Sequence, residues 1–330
     1  MPIQQSFSTF GLSRQAVKGT PTATATFNQG ISSGGMFNVE ITQAPVGQTT
    51  GTRDYYAVDR TAVKPAFSID SRAMTKSVGM HLTAALGGYS VSGSGPYVHV
   101  ATSSATNTLP YLTTYAQLDA KWFQIKDAMV DNFSLDFDQN GTTTMKCDGF
   151  GTALTQLTAP TVTNDDTGVT TSSTFLTALG GTLKLDTLTS TPVLLTLMGG
   201  GFSVKNNIQI VEDSTSVLPA DVFPGVREIT VTAKVQIADW TKYLAIVTNT
   251  TTGTTVSPTV PYGSVEYNFL EVNGGTATLK VASARVAWNT TTPTADVKGG
   301  PADITLTGQV LLPAGSNALT ATLINTITVY

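Results

Sequence analysis

Phe133-Ser134-Leu135-Asp136-Phe137-Asp138-Gln139-Asn140-Gly141-Thr142-Thr143-Thr144-Met145-Lys146 is the stretch from which the fold is read. Its first five residues alternate large apolar with polar side chains, the period-two signature of a strand with one buried face. Asn140-Gly141 fits the two central positions of a type I′ hairpin turn, and 142–146 reads as the return strand. The same alternation runs through Ile229–Ile237, Ile304–Thr307 and Leu323–Val329. Antiparallel strands, half-buried, are therefore expected along the chain. Helical spacing stands out at one place, where Trp240, Tyr243, Leu244 and Val247 fall at i, i+3, i+4 and i+7 behind Asp239, a residue type that caps helices. One short helix near 239–249, packed on sheet, is expected.

Composition agrees with a β-rich chain. Charged residues make up 12% of the 330 residues, about half of the roughly 25% usual in soluble proteins. Thr, Ser, Asn and Gly take their place, which excludes a helical bundle or coiled coil of the Ala/Glu/Lys/Leu kind. A hydrophobic fraction of 41% with a net charge of −4 is also unlike a disordered chain. The 18 Lys and Arg form no run against the 22 acids, so the electrostatic footprint of a nucleic-acid reader is missing. The single cysteine, Cys147, excludes an intramolecular disulfide and a cysteine-rich zinc site. The N-terminus lacks the pattern of an export signal and the longest apolar run, 193–198, is far short of a membrane span. Neither ordinary export nor lipid insertion is expected.

Segments rich in Gly, Ser, Thr and Pro punctuate the chain, and the longest without clear period is 155–174. We read 1–155 as a first module with an N-terminal arm, 156–185 as a linker or the start of an insertion, and 186–330 as a second module. A faint echo between Val130-Asp131-Asn132 and Val204-Lys205-Asn206, each beside an alternating strand, suggests a duplication.

Motifs that could carry chemistry are weak. Asp136-Phe137-Asp138-Gln139-Asn140-Gly141 spells the opening of a calcium loop, but position 12, where a bidentate acid belongs, is Cys147. Gly30-Ile31-Ser32-Ser33-Gly34 spells a nucleophile elbow without the strand before and helix after it, and reads as a loop. Gly199-Gly200-Gly201 lacks the Lys-Ser/Thr of a phosphate loop and reads as a flexible turn. The two histidines, His81 and His99, fall in segments read as alternating, 78–86 and 97–100, where a half-exposed strand position is the ordinary reading. No catalytic constellation, metal site or cofactor is expected.

An ordered set of segments resembles one family. Ser6-Phe7-Ser8-Thr9-Phe10-Gly11-Leu12 leads to Gly19-Thr20-Pro21; Thr108-Leu109-Pro110-Tyr111-Leu112-Thr113-Thr114-Tyr115 precedes a strand pair over 121–150 that ends in Gly149-Phe150-Gly151. Phe223-Pro224-Gly225-Val226-Arg227-Glu228-Ile229, Tyr262-Gly263-Ser264-Val265-Glu266-Tyr267-Asn268-Phe269 and Gly299-Gly300-Pro301-Ala302-Asp303-Ile304 follow. In pattern and order, over most of the chain, this resembles the major tail tube proteins of long, non-contractile-tailed bacteriophages. The resemblance implies a mainly-β fold, an antiparallel β-sandwich or barrel of the tail-tube kind, here duplicated. It implies subunits in stacked rings whose inner sheets join edge to edge around a channel for genome delivery. Two fused modules imply three chains in a pseudo-sixfold ring; one module with an inserted immunoglobulin-like domain would imply a true hexamer. Tape-measure and tail terminator proteins are the implied partners besides the chain itself, double-stranded DNA passes without specific binding, and the place is the virion tail, assembled in the host cytoplasm.

Low charge suits a stacking surface, because charged residues are depleted at interface cores, and a sequence pI near 5.1 suits a conduit that must not hold phosphate. Phe7, Phe10 and Leu12, apolar residues in an arm flanked by flexible sequence, are expected to dock on a neighbouring chain or ring. The loop over 44–52, with Val46, Gly47 and Gly51, is expected to reach the adjacent ring. Asp136, Asp138, Glu212 and Asp213 are the candidate channel-lining acids. A β-sandwich adhesin or sugar-binding virion decoration module is the alternative function.

Overall fold

In a computed structural model the structure describes residues 9–34, 37–46, 57–103, 106, 108–119, 121–167, 174–189, 191–195, 197–236, 240–290 and 303–330. The chain is mainly β, with antiparallel pairing dominant and two α-helices among the described residues. Its first half runs β1 (Thr9–Arg14), β2 (Thr24–Gly30), β3 (Asn38–Val46), β4 (Ala57–Arg72), α1 (Val78–Leu86), β5 (Gly87–Ser92), β6 (Tyr97–Ser103), β7 (Leu112–Leu118), β8 (Lys121–Asp138), β9 (Thr143–Phe150) and β10 (Ala153–Leu157). The second half runs β11 (Thr161–Asp166), β12 (Leu176–Asp186), β13 (Val193–Leu195), β14 (Leu197–Lys205), β15 (Gln209–Asp213), β16 (Ser216–Phe223), β17 (Glu228–Gln236), α2 (Thr241–Thr248), β18 (Tyr262–Glu271), β19 (Thr278–Thr290), β20 (Asp303–Val310) and β21 (Thr320–Asn325).

The alternation in the sequence does in space what it predicts. In β8 and β9, Phe133, Leu135, Phe137, Met145 and Cys147 are buried, while their neighbours of opposite parity face away from the core. The hairpin between them forms, with Phe137 opposite Thr143, but not through a type I′ turn. Gly141 alone is left-handed (φ +76°), and Asn140 is not. Instead the Gly141 amide donates to the Asp138 carbonyl (2.9 Å), and the Asp138 carboxylate accepts from the amides of Asn140 and Thr142 (3.0 Å each). Asp138 therefore shapes the turn with its own side chain.

Strand β8 is the spine of the molecule. Its first half pairs with β7 and β10, and its second half pairs with β9 and β14. The change of sheet happens at Asp127, left-handed (φ 51°) and 3% exposed, whose carboxylate accepts from the Gly19 amide (2.6 Å) and the Thr152 hydroxyl (2.9 Å). The resulting two sheets face each other across one core, where Phe10 of β1 stacks on Phe67 of β4 (centroids 5.5 Å apart).

The pairings of the first half recur in the second. β1–β2 is repeated by β12–β13, β1–β7 by β12–β18, β7–β8 by β18–β19, and β8–β10 by β19–β21. Likewise β3–β4 is repeated by β14–β17, β4–β9 by β17–β20, and β8–β9 by β19–β20. All are antiparallel, and a helix follows both β4 and β17. Residue chemistry supports the match. Gly149 lies opposite Phe67 and Val130, as Gly308 lies opposite Val231 and Trp288; a Cβ on either glycine would collide with that partner's strand or side chain. The echo seen in the sequence marks something else: Asn132 and Lys205 stand opposite each other where β8 meets β14.

Several expectations are corrected. The segment 78–86 is a helix, all nine residues buried; enclosed on every side, it shows no amphipathic period. His81 and His99 are 1% and 3% exposed, not half exposed. In the stretch 155–174 read as unpatterned, β11 pairs parallel to β2, and the preceding β10 pairs with β8. Gly199–Gly201 lie within β14 instead of a turn, because β8, β14 and β17 approach so closely that a Cβ on Gly200 would sit 2.5 Å from the Thr232 carbonyl. The last strand ends at Asn325, and the chain then folds inward to bury Ile327 and Tyr330. In α2 the buried residues are Ala245 and Thr248, whereas Trp240, the cap residue, is 53% exposed; Asp239 lies outside the described residues.

Candidate functional site

Six adjacent strands, β4, β9, β8, β14, β17 and β20, carry both halves of the molecule in one antiparallel ribbon. One face of it is core. The other is polar from the row of Asp148 and Asn132 onward, and at its end the row Ala66, Phe150 and Met129 is apolar and packs with Val222 of β16. Arg72, Thr144, Asp136, Gly201, Thr232 and Thr307 stand side by side across the six strands; the next row is Asp70, Lys146, Ser134, Ser203, Thr230 and Gln309. Small hydroxyl side chains predominate, and they bond along the surface: the Ser203 and Thr230 hydroxyls are 2.6 Å apart, and Ser134 donates to Asp136 (2.9 Å). No large apolar side chain interrupts these rows.

Its charges are nearly balanced, with an acidic excess. The carboxylates are Asp70, Asp136, Asp138, Asp148, Glu228 and Asp303, and the cations Lys64, Arg72, Lys146, Lys205 and Lys234. Three lysines are tied to acids, Lys234 to Asp303 (2.7 Å), Lys146 to Asp70 (3.8 Å) and Lys64 to Glu212 of the β15–β16 hairpin (3.1 Å). Asp136 lies against β14, so close that a Cβ on Gly201 would come within 2.4 Å of its Oδ1. Partial burial there raises its pKa, against the lowering effect of the Ser134 hydroxyl and Lys146. Burial likewise raises the pKa of Asp148, which accepts from Asn132 (2.8 Å).

The expected site residues are distributed as follows. Asp136 and Asp138 lie on this face. Glu212 and Asp213 do not; they belong to the separate hairpin β15–β16, where Glu212 pairs with Lys64 (3.1 Å) and turn hydrogen bonds from Thr215 lower the Asp213 pKa. Phe10 and Leu12 sit in β1 at 1% and 2% exposure, inside this chain's own core. The premise that they find no core within the chain is thus corrected, since β1 lies between β2 and β7, both residues join the main core, and Phe10 stacks on Phe67 and on His81 of α1. Val46 ends β3, and Phe7, Gly47 and Gly51 lie outside the described residues.

The described residues contain no group of three or more His, Cys, Asp or Glu arranged to hold a metal. Ser32 of the elbow spelling is exposed and bonded through its amide to the Asp70 carbonyl (2.7 Å). His99 donates from Nε2 to the Ile327 carbonyl (2.8 Å), so its Nδ1 is the acceptor for the Tyr89 hydroxyl (3.0 Å), a structural use of both nitrogens. His81 contacts Gln29 through Nε2 (3.3 Å), and burial lowers its pKa to about 3. Burial also pushes the Cys147 thiol well up, which leaves it inert. No helix of the described residues is long and apolar enough to cross a membrane. No protein-family model matches this chain, and no curated protein matches it.

Proposed function

We propose that the protein is a structural subunit that assembles into stacked rings, the tail tube of a long-tailed bacteriophage, with the polar ribbon face turned to the channel. The observation that supports this reading is the continuity of polar rows across both repeats, from Arg72 to Thr307 and from Asp70 to Gln309, without a large apolar side chain in them and with more carboxylates than cations on the face. A surface that must let a polyanion slide past wants hydration, few free cations and no stacking platforms, because each ammonium released to phosphate adds a salt-dependent grip. A face turned to a sugar or a receptor would instead present aromatic platforms, which these rows lack. Two repeats per chain make three chains a pseudo-sixfold ring. The channel acids in this reading are Asp136 and Asp138, and DNA is a passenger, not a ligand.

Negative-stain electron microscopy of the purified protein tests the proposal. Rings or tubes of even bore are the expected result, with three subunits per ring by mass measurement of isolated rings. A monomer that stays monomeric up to millimolar concentration overturns it.

A further inference from the structure

Residues 326–330 follow β21 without belonging to a strand, and the bonds that hold them converge on one histidine. His99 of β6 is 3% exposed and stands between Leu323 of β21 and Val91 of β5. Its Nε2–H donates to the Ile327 carbonyl (2.8 Å), and its Nδ1 accepts from the Tyr89 hydroxyl (3.0 Å). The same Tyr89 oxygen accepts from the Tyr330 amide (3.0 Å). One imidazole and one phenol thus hold the segment at two points. The Tyr330 ring stands edge-on to His99 (centroids 4.6 Å apart) and fills the space over Gly79 of α1. Its hydroxyl donates to the Lys76 carbonyl just before α1 (2.6 Å) and accepts from the Asn325 amide group (2.6 Å).

This arrangement needs a neutral ring. A proton on Nδ1 turns that atom from acceptor to donor, so the Tyr89 O–H loses its acceptor and the Tyr89 oxygen faces two donors, His99 and the Tyr330 amide. The new charge also lacks a counter-charge among the described residues around it. The titratable groups packed against His99 are phenols: Tyr89 of β5, Tyr97 on β6 itself and Tyr330. Asp166 of β11 acts by charge on Tyr330, and Lys76, before α1, would repel an imidazolium. Burial lowers the His99 pKa, against the raising effects of the Ile327 carbonyl and the Asn325 side chain. A buried, unpaired imidazolium is stabilised by reaching water, and residues 326–330 lie over the ring. The strands beneath have their own support, because β21 is paired with β6 on one side and β19 on the other.

We propose that His99 is an acid-sensitive latch on residues 326–330: neutral, it holds the segment over the start of α1, and protonated, it releases the segment while β5, β6 and β21 stay paired. The opening is local because the segment is tied by side chains, whereas the sheet is tied by main-chain ladders. The open form exposes the imidazole and takes up its proton near the ordinary histidine value of about 6.5, before the closed form does. The closed form is therefore fully favoured above that pH and loses ground as pH falls, by up to about tenfold in the open-to-closed ratio per pH unit. Release uncovers Gly79 of α1 and Phe27 of β2, whose ring lies 5.0 Å from that of Tyr330. The latch is a property of the single chain and is independent of the assembly reading.

Hydrogen–deuterium exchange of the full chain from pH 7.5 to 4.5 tests it, with each rate referred to that of the unfolded peptide at the same pH. The reporters are the amides of Ile327, which donates to Asn325 Oδ1 (3.0 Å), and Tyr330. Their protection should be level above pH ~6.5 and fall below it by up to about tenfold per unit, while amides of β6 and β21 keep theirs. His99→Gln should make the protection at 327 and 330 independent of pH, whatever its level, and His81→Leu should leave the pH dependence as it is in the native protein. Level protection down to pH 4.5, or loss shared by β6 and β21, overturns the latch. So does a pH dependence that survives His99→Gln or vanishes in His81→Leu. NMR of the native protein gives a check that needs no variant. The His99 ring should take up its proton in the range where its NOEs to the Tyr330 ring disappear, and a protonated His99 that keeps those NOEs refutes the proposal.

Discussion

At the scale of single residues, glycines and buried histidines report how tightly the sheets approach. Gly141 is left-handed and faces Leu179, whose backbone nitrogen would lie 2.8 Å from an added Cβ. Gly141→Ala should therefore destabilise by roughly 2 kcal/mol, the sum of a left-handed penalty and a forced shift of the neighbouring bulge; urea denaturation of the variant measures it. His81 gives a pH signature. Its folded pKa is depressed to about 3 by burial, below the unfolded value of about 6.5. The unfolded chain thus binds the proton first, and stability is complete above pH ~6.5 and declines as pH falls toward 3, by up to about 1.4 kcal/mol per unit. His99, also lowered by burial, acts in the same direction. Denaturation midpoints of the native protein should fall between pH 6.5 and 4, and His81→Leu should flatten that slope whatever its absolute stability. An unchanged slope would mean that His81 charges without leaving its site.

At the scale of elements, the second half closes on itself. β13 and β14 are separated by one residue, so β12, β18, β19, β20, β17 and the β14–β13 strand form a ring of pairings. Tyr267 of β18 reaches across its interior, donating to the carbonyls of Thr232 (2.6 Å) and Gly201 (3.1 Å) on β17 and β14. Phe137 from β8 packs edge-on against it and against Phe269. Removing that hydroxyl leaves two buried carbonyl groups short of a donor while the ring stays in place. Tyr267→Phe should cost about 1–2 kcal/mol, readable as a lower urea midpoint with unchanged m-value. A comparable bridge holds α1 to the ribbon, where Asn206, 1% exposed, donates to the carbonyls of Ala85 (3.0 Å) and Val130 (2.9 Å). Asn206→Leu removes both bonds and leaves their acceptors buried, and about 2–3 kcal/mol should be lost.

At the scale of the whole molecule, the two pairs of candidate acids now differ in what they predict. Asp136 belongs to the polar ribbon, whereas Glu212 and Asp213 project from the β15–β16 hairpin. Asp136→Lys should leave assembly intact and make tubes retain short duplex DNA at low salt, with release as salt screens the attraction. The double variant Glu212→Lys and Asp213→Lys should retain none. DNA retention by the hairpin variant and not by Asp136→Lys would place the ribbon on the outside of the assembly. Asp138 is a poor choice for this experiment, since its carboxylate also holds the turn amides.

The sequence by itself determined that the chain is mainly β, the β8–β9 hairpin and which face of β8, β17 and β20 is buried, because a period of two is a local property and burial follows it directly. It also placed the short helix α2, whose apolar residues recur at helical spacing. Only the tertiary structure decided the rest. Helix α1 is buried all round and carries no period, so its identity depends on being enclosed by strands and by Tyr330, which fills the space a side chain at Gly79 would need. Phe10 and Leu12 find their core through β7, which lies a hundred residues away in sequence. The repeat is invisible to residue matching because pairing order is preserved while side chains change, Phe67 becoming Val231 and the Glu40–Lys64 pair becoming Lys205–Glu228. Hydrogen bonds between main chains fix strand order without naming the side chains, and that is why the polar ribbon comes from the fold alone.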